Sequence, residues 1–147
     1  MPNKLVELTI EECLEHLRSG VLGRVAMSTP MGPRIVPLNY AMHNDAIVFR
    51  TTSYSELGTY GPDSDLAFET DQFDYGTNLG WSVVAIGRAE VIDDPDEIRD
   101  IRARWDPTPW AGGHRLFYLK LRWRDITGRR IGGESNRDSM MSVRHAI

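Results

Sequence analysis

Cysteine is almost missing from this chain: Cys13 is the single copy in 147 residues. One thiol forms no internal disulfide and cannot complete a cysteine-based zinc site, which excludes disulfide-stapled secreted scaffolds and zinc fingers. Lysine is scarce too, with Lys4 and Lys120 alone among the basic residues and arginine supplying the rest. Lysine plus arginine number 17 against 21 acidic residues, a net charge of −4, so the chain lacks the basic surface that dominates binding to a phosphate backbone. Nucleic acid is therefore not expected as a partner. Long apolar runs are absent as well. The longest uncharged stretch, Tyr75 to Gly87, has 13 residues, whereas a membrane-spanning helix needs about 20 apolar ones. No apolar run precedes Glu11 and Glu12, so the expectation is a cytoplasmic protein without a secretory signal and without a membrane partner. Nucleotide-binding glycine motifs are missing, and Gly80-Trp-Ser-Val-Val84 lacks the final glycine of a nucleophile elbow. What remains is an ordinary composition, 41% hydrophobic and 26% charged, of a length suited to one domain.

The first regular element is signalled by Thr9-Ile-Glu-Glu12, a capping-box spacing, and predicts a helix over Ile10 to Arg18 that stops at Gly20. Beyond it, short β-rich segments alternate with turn residues: Val21 to Ser28, Arg34 to Met42, Ala46 to Thr52, Asp65 to Thr70 and Leu79 to Ile92. Gly87 marks a bend or bulge in the longest of these. Asp94-Pro95-Asp96-Glu97 then orders a cap, a first-position proline and an acidic first turn, predicting a helix from Pro95 to Trp105. From His114 the alternation is strict, with Phe117, Leu119, Leu121 and Trp123 on one face and Tyr118, Lys120, Arg122 and Arg124 on the other, continuing toward Ile131. Residues 132–147 lose all periodicity and read as a mobile tail to a domain of residues 1–131. Six strands with one helix before them and one ahead of the last strand predict a small closed β-barrel of α+β, mainly β, character.

Few side-chain groupings suggest chemistry. Cys13 and His16 lie three apart on one helix, but no other histidine has matching spacing, and a core cysteine beside a solvated histidine explains them without a metal. Asp71 and Asp74 flank the turn after a strand, and Asp93, Asp94 and Asp96 cap a helix, so neither group demands acid–base catalysis. Arg122, Arg124, Arg129 and Arg130 read as a solvated face, with a local anion site there as the alternative. The stretch Ala46 to Ser55 joins a strand to a turn dense in hydroxyls with a guanidinium beside them. Arg50, Thr51, Thr52 and Ser55 together supply what holds a phosphate without a metal.

The order of these elements resembles the flavin-binding split-barrel family related to pyridoxamine 5′-phosphate oxidase, in its small single-domain branch. The similarity rests on the helix starting at Thr9 and on Gly23-Arg-Val-Ala-Met27, Arg34-Ile-Val-Pro-Leu-Asn-Tyr40, Val48-Phe-Arg-Thr51, Leu66-Ala-Phe-Glu-Thr-Asp71, Gly80-Trp-Ser-Val83 with Gly87-Arg-Ala89, and Ile126-Thr-Gly-Arg-Arg130. The resemblance implies a six-stranded antiparallel split β-barrel, a homodimer with cofactor clefts shared between subunits, and an FMN-dependent oxidoreductase acting on a small organic substrate. It places Val36, Pro37, Leu38 and Asn39 along the flavin ring, Arg50, Thr51 and Thr52 near the ribityl phosphate, Ser55 in the phosphate turn, and Trp81 with Ser82 closing the pocket. It names no catalytic side chain, since the cofactor carries the hydride chemistry. One position departs from the family pattern: Glu56 follows the turn serine where a lysine is common. A deazaflavin (F420) cofactor on the same fold, or a dimeric barrel that binds without catalysing, are the alternatives this departure keeps open.

Overall fold

The computed structural model describes residues 4–104 and 116–132. Helix α1, Ile10–Ser19, begins where the capping box places it: the Thr9 side chain accepts from the Glu12 N–H at 3.2 Å, a cap worth about 1 kcal/mol. The Gly20 N–H then bonds back to the Leu17 carbonyl and ends the helix. Strands β2 (Leu22–Thr29), β3 (Gly32–His43), β4 (Ala46–Thr52), β5 (Asp65–Asp74), β6 (Leu79–Ile92) and β7 (Leu116–Ile131) fall on the expected segments, and a helix over Pro95–Arg104 precedes the last strand. All pairings are antiparallel, in the order β7-β4-β3-β2-β5-β6, and β6 pairs back onto β7, so the six strands close a barrel.

Two elements were not legible in the sequence. Strand β1, Leu5–Glu7, adds a seventh strand by pairing with Arg129–Ile131, and its three residues are too few to carry a period. A short helix, α2 (Glu56–Tyr60), occupies the segment read as a phosphate turn, which makes the Pro95–Arg104 helix α3. Asp71 is also not in a turn: β5 runs on to Asp74, whose Oδ1 accepts from the Gly76 N–H at 2.8 Å and opens the tight hairpin into β6. Trp105, His114 and, apart from Gly132, the tail expected over residues 132–147 lie outside the described residues.

Strand β3 changes neighbours along its length. Residues Gly32 to Asn39 pair with β2, but on the other side β3 meets β4 only from Tyr40 (opposite Phe49) to His43. Beyond Tyr40 the two strands part, which opens the barrel wall, and α2 packs against β2 and β4 beside the opening. The core inside the ring draws on every strand of the barrel and on α1 and α2, with Tyr40, Phe49 and Phe68 as its largest wholly buried side chains. The Phe68 ring meets Tyr40 edge-on at 4.7 Å and lies 5.8 Å from Phe49. Each such ring removed from water contributes roughly 2–3 kcal/mol. A second, smaller cluster on the outside of the wall (Val48, Ile92, Ile101 and Tyr118) seats α3, reinforced by Lys120 donating to Glu97 at 3.1 Å.

The bulge expected at Gly87 is present, and its other half lies on β7. Ile86 faces Asp125 and Gly87 faces Trp123, so Arg124 is an extra residue without a counterpart on β6. A side chain at Gly87 would collide with the Arg122 carbonyl, which fixes glycine there. Because one residue is inserted, the strand's phase flips: Leu119 and Leu121 point into the core ahead of the bulge, and Ile126 packs on it afterward. Arg130 therefore turns inward and is 6% exposed, which corrects its assignment to a solvated face.

Candidate functional site

The residues singled out in the sequence fall into two groups at opposite ends of β7. The first lines the opening between β3 and β4. Val36 and Leu38 contribute to the core, while Pro37 is exposed and Asn39 half-buried on the alternate positions. The ladder ends at the Tyr40 and Phe49 pair, so Asn39 and Arg50 occupy the first positions after the strands separate. Arg50 shares the outer face of β4 with Val48, and its guanidinium stands 5.7 Å from the centre of the Tyr118 ring. Arg102 of α3 approaches the same ring at 5.8 Å and donates from Nε to the Tyr118 hydroxyl at 3.2 Å. Two arginines thus bracket one phenol beside the opening.

Thr52 is buried, and Ser55 serves the backbone: it caps α2 by accepting from the Gly58 N–H at 2.9 Å and donates to the Thr52 carbonyl at 2.9 Å. With that proton spent, Thr51 Oγ1 at 2.8 Å is the donor to Ser55 Oγ. The turn is packed so closely that a methyl at Gly58 would overlap the Thr52 carbonyl oxygen. Glu56, the departure from the family pattern, faces Arg34 across the opening, with its Oε2 3.4 Å from Arg34 Nε and both side chains about half exposed. Its charge is thereby offset by Arg34, while Arg50 stands against the Tyr118 ring. These residues suit an anionic phosphate at the surface of the opening.

The second group lies on β6. Trp81 is 5% exposed and stacks on His16 of α1, with ring centres 3.9 Å apart and planes 15° from parallel. His16 is itself buried, so it is a packing partner of the tryptophan and not a solvated histidine. Trp81 stands opposite Arg130, and Arg50 opposite Tyr118, so within one chain 12 residues of β7 separate Trp81 and Ser82 from the arginine at the opening. Trp81 and Ser82 line a cleft of about 440 Å³ with Asp71, Phe73, Tyr75 and Arg129. Two buried nitrogens here, Trp81 Nε1 and Arg130 Nη1, have no hydrogen-bond partner among the described residues.

Sequence reasoning missed a carboxyl pair on the outer face of β5. Arg24 of β2 bonds to both Glu69, its opposite number in the register, and Asp71, at 2.8 Å from Asp71 Oδ2. Burial, together with a hydrogen bond to Asp71, pushes Glu69 up to about 7 against the pull of Arg24, while the bond from Glu69 and the guanidinium hold Asp71 below the usual range. The pair thus shares a proton near neutral pH. The i, i+2 spacing of Glu69 and Asp71 on a strand was the available signal, but the arginine comes from 45 residues away. Among the described residues no group of three His, Cys, Asp or Glu side chains is placed to hold a metal ion. None of the described helices is long and apolar enough to cross a membrane.

A closed antiparallel barrel with one parted seam and a short helix beside that seam is a split barrel. The comparison with known families agrees. The model of the pyridoxamine 5′-phosphate oxidase family matches residues 9–130, and the chain belongs to that family. Among solved structures, it is similar to a Corynebacterium glutamicum protein named for the same oxidase, at 30% identity and a TM-score of 0.76, over 88% of this chain and all of that one. It is also similar to the FAD-binding protein of Mycobacterium smegmatis, at 27% identity and a TM-score of 0.73, over 86% of this chain and 98% of the other. A Mycobacterium tuberculosis protein, Rv0080, is 27% identical over 139 residues, 90% of this chain and 89% of that protein.

Proposed function

We propose that this chain is a flavin-dependent oxidoreductase that holds FMN at the parted seam between β3 and β4 and acts as a homodimer. The observation that carries the reading is the end of the β3–β4 ladder at Tyr40 and Phe49, which leaves the edge of Val36–Asn39 and the Arg50–Thr52 segment facing one opening with Arg34 at its rim. When bound, the flavin supplies hydride transfer to or from a small organic substrate. The chain's residues do the rest. Backbone along residues 36–39 positions the ring, Arg50 and Arg34 counter the phosphate charge, and Arg34 also neutralises Glu56. Family membership and the FAD bound by the M. smegmatis relative support a flavin as the ligand. The separation of Trp81 and Ser82 from Arg50 within one chain supports the dimer, because a second copy brings its own β6 to the first copy's seam.

The test is the spectrum of the protein as purified, followed by mass spectrometry of whatever ligand heat releases. A yellow protein that bleaches on reduction and releases FMN supports the proposal. Release of FAD or of a deazaflavin instead keeps the seam and changes the cofactor. A colourless protein that takes up none of the three would make it a non-catalytic barrel. Arg50→Gln should weaken FMN binding by roughly tenfold, the worth of one charge-assisted contact. Sedimentation of the protein as a monomer of 16.7 kDa at micromolar concentration would defeat the shared cleft.

A further inference from the structure

We propose that the outer face of β3, β2, β5 and β6 is the surface on which a second copy of this chain packs, about a two-fold axis running along the strands between β2 and β5. The inference rests on the homodimer of the preceding section and names its interface. Val25, Met27, Leu66, Phe68, Val83 and Ala85 point into the core, so the residues alternating with them face outward. The register sets those outward residues in rows. Ile35, Ala26, Ala67 and Ile86 stand side by side across the four strands, and the next row is Pro37, Arg24, Glu69 and Val84. The first row has the same sizes from either end, with large residues outside and small ones in the middle. A closed dimer needs a patch complementary to itself, and a two-fold axis midway along this row lays Ile35 over the partner's Ile86 and Ala26 over the partner's Ala67. Ile35, 69% exposed in the single chain, is covered in that arrangement. The second row is complementary in charge, because the same axis lays Arg24 over the partner's Glu69. Glu69 and Asp71 share a proton around their one guanidinium, so each cluster is near neutral and suits burial between two copies.

The sheet order leads to the same axis by another route. For β6 of each copy to reach the seam of the other, the two-fold must lie midway between β3 and β6, and in the order β3-β2-β5-β6 that midpoint falls between β2 and β5. The axis must also run along the strands. Set across them, it would stack β6 on β6 and leave both seams open. The row beyond Arg24 shows what this orientation supplies. Asn39 stands opposite Leu22 and Asp71 opposite Ser82, and Thr70 Oγ1 donates to the Leu22 carbonyl at 2.9 Å between them. The axis therefore lays Ser82 of the partner subunit over Asn39, the first residue of β3 past the end of the β3–β4 ladder. Self-complementary rows and the demand of the seam thus converge on one line of the sheet.

Two variants of the full-length protein test the face. Ile35→Glu puts a charge into the apolar row, and sedimentation should show a dimer weakened roughly tenfold or more, with an unchanged far-ultraviolet circular dichroism spectrum because the side chain lies on the surface of the single chain. Ala67→Cys sets one thiol beside the axis in each copy. Packed sheets lie about 10 Å apart, so a short bismaleimide should join the two copies at micromolar protein. The native chain, whose Cys13 is buried, and Arg99→Cys on α3, away from this face, should give no cross-linked dimer. A dimer undiminished in Ile35→Glu, or one that does not cross-link at residue 67, overturns the interface and leaves the flavin reading standing. A native chain that sediments as a monomer overturns the interface together with the shared cleft. A dimer that cross-links at residue 67 and takes up no FMN supports the interface and counts against the proposed function.

Discussion

Replacing Glu69 by glutamine should remove a pH dependence from the stability of this protein. Burial and the neighbouring Asp71 raise the Glu69 carboxyl from an ordinary 4.5 to about 7, so the folded state holds a proton that the unfolded chain has already released. Below pH 4.5 both states are protonated at this position and its contribution to stability is fully present. As pH rises from there through about 7 the contribution is lost, and stability falls. The difference, roughly 2.5 pH units at about 1.4 kcal/mol each, would come to about 3.5 kcal/mol for a wholly buried group. Glu69 is 31% exposed and Arg24 favours its charged form, so solvent screening reduces the expected effect to about 1 kcal/mol. Asp71, held low, acts in the opposite sense and in a separate window: its contribution is present above its ordinary value of 3.8 and is lost as pH falls below it. Urea unfolding between pH 5 and 8, followed by tryptophan fluorescence, isolates the Glu69 share. Glu69→Gln should gain about 1 kcal/mol relative to the native chain across that range, since the amide keeps the contacts and carries no proton to lose. Parallel stability curves for the two proteins would refute a shared proton at this pair.

Three other substitutions bear on the fold and the seam. Gly58→Ala should destabilise by about 2–4 kcal/mol, measured by chemical denaturation, because the methyl has no space against the Thr52 carbonyl and the α2 turn must open. Tyr40→Phe should cost about 1 kcal/mol in the same measurement, because the hydroxyl donates to the Leu17 carbonyl at 2.7 Å and its loss leaves that carbonyl only the longer bond from the Gly20 N–H at 3.4 Å. Burial pushes the Tyr40 phenol up to about 12, so the native protein should show no tyrosinate absorbance from this residue at pH 10. Glu56→Lys should tighten FMN by about 1 kcal/mol in a fluorescence titration, less than a bare repulsion would suggest because Arg34 already offsets the carboxylate.

Strands and helices with several turns of pattern could be read from the chain. β6 and its ends at Leu79 and Ile92, α3 from its Asp94-Pro95 start, and the alternation from Phe117 to Arg124 all follow local rules of spacing and capping. Helix α2 escaped because five residues hold less than two turns, although Ser55 capping Gly58 with an acidic residue after it is a start signal in miniature. The candidate cofactor segments were legible as segments but not in their arrangement: that Trp81 and Arg50 pair with opposite ends of β7 depends on contacts between residues far apart in the chain. The Arg24, Glu69 and Asp71 cluster was hidden for the same reason, since nothing local says that β2 lies beside β5.

The insertion of Arg124 opposite the junction of Ile86 and Gly87 works as a switch of meaning for everything after it in β7. Downstream of that point an even-numbered residue belongs to the interior and an odd-numbered one to the exterior, the reverse of the rule upstream, so two adjacent arginines, Arg129 and Arg130, acquire opposite lives from one residue placed five positions earlier. A chain with a regular ladder at this junction would be one residue shorter, so an ungapped alignment through this stretch would set its counterpart of Arg130 against Arg129 and equate a buried side chain with a surface one. Deleting Arg124 alone would make the ladder regular at this junction and leave Arg129 beside Ser82 and Arg130 opposite Trp81, so the bulge sets the residue count of the strand and the faces beyond it stay as they are.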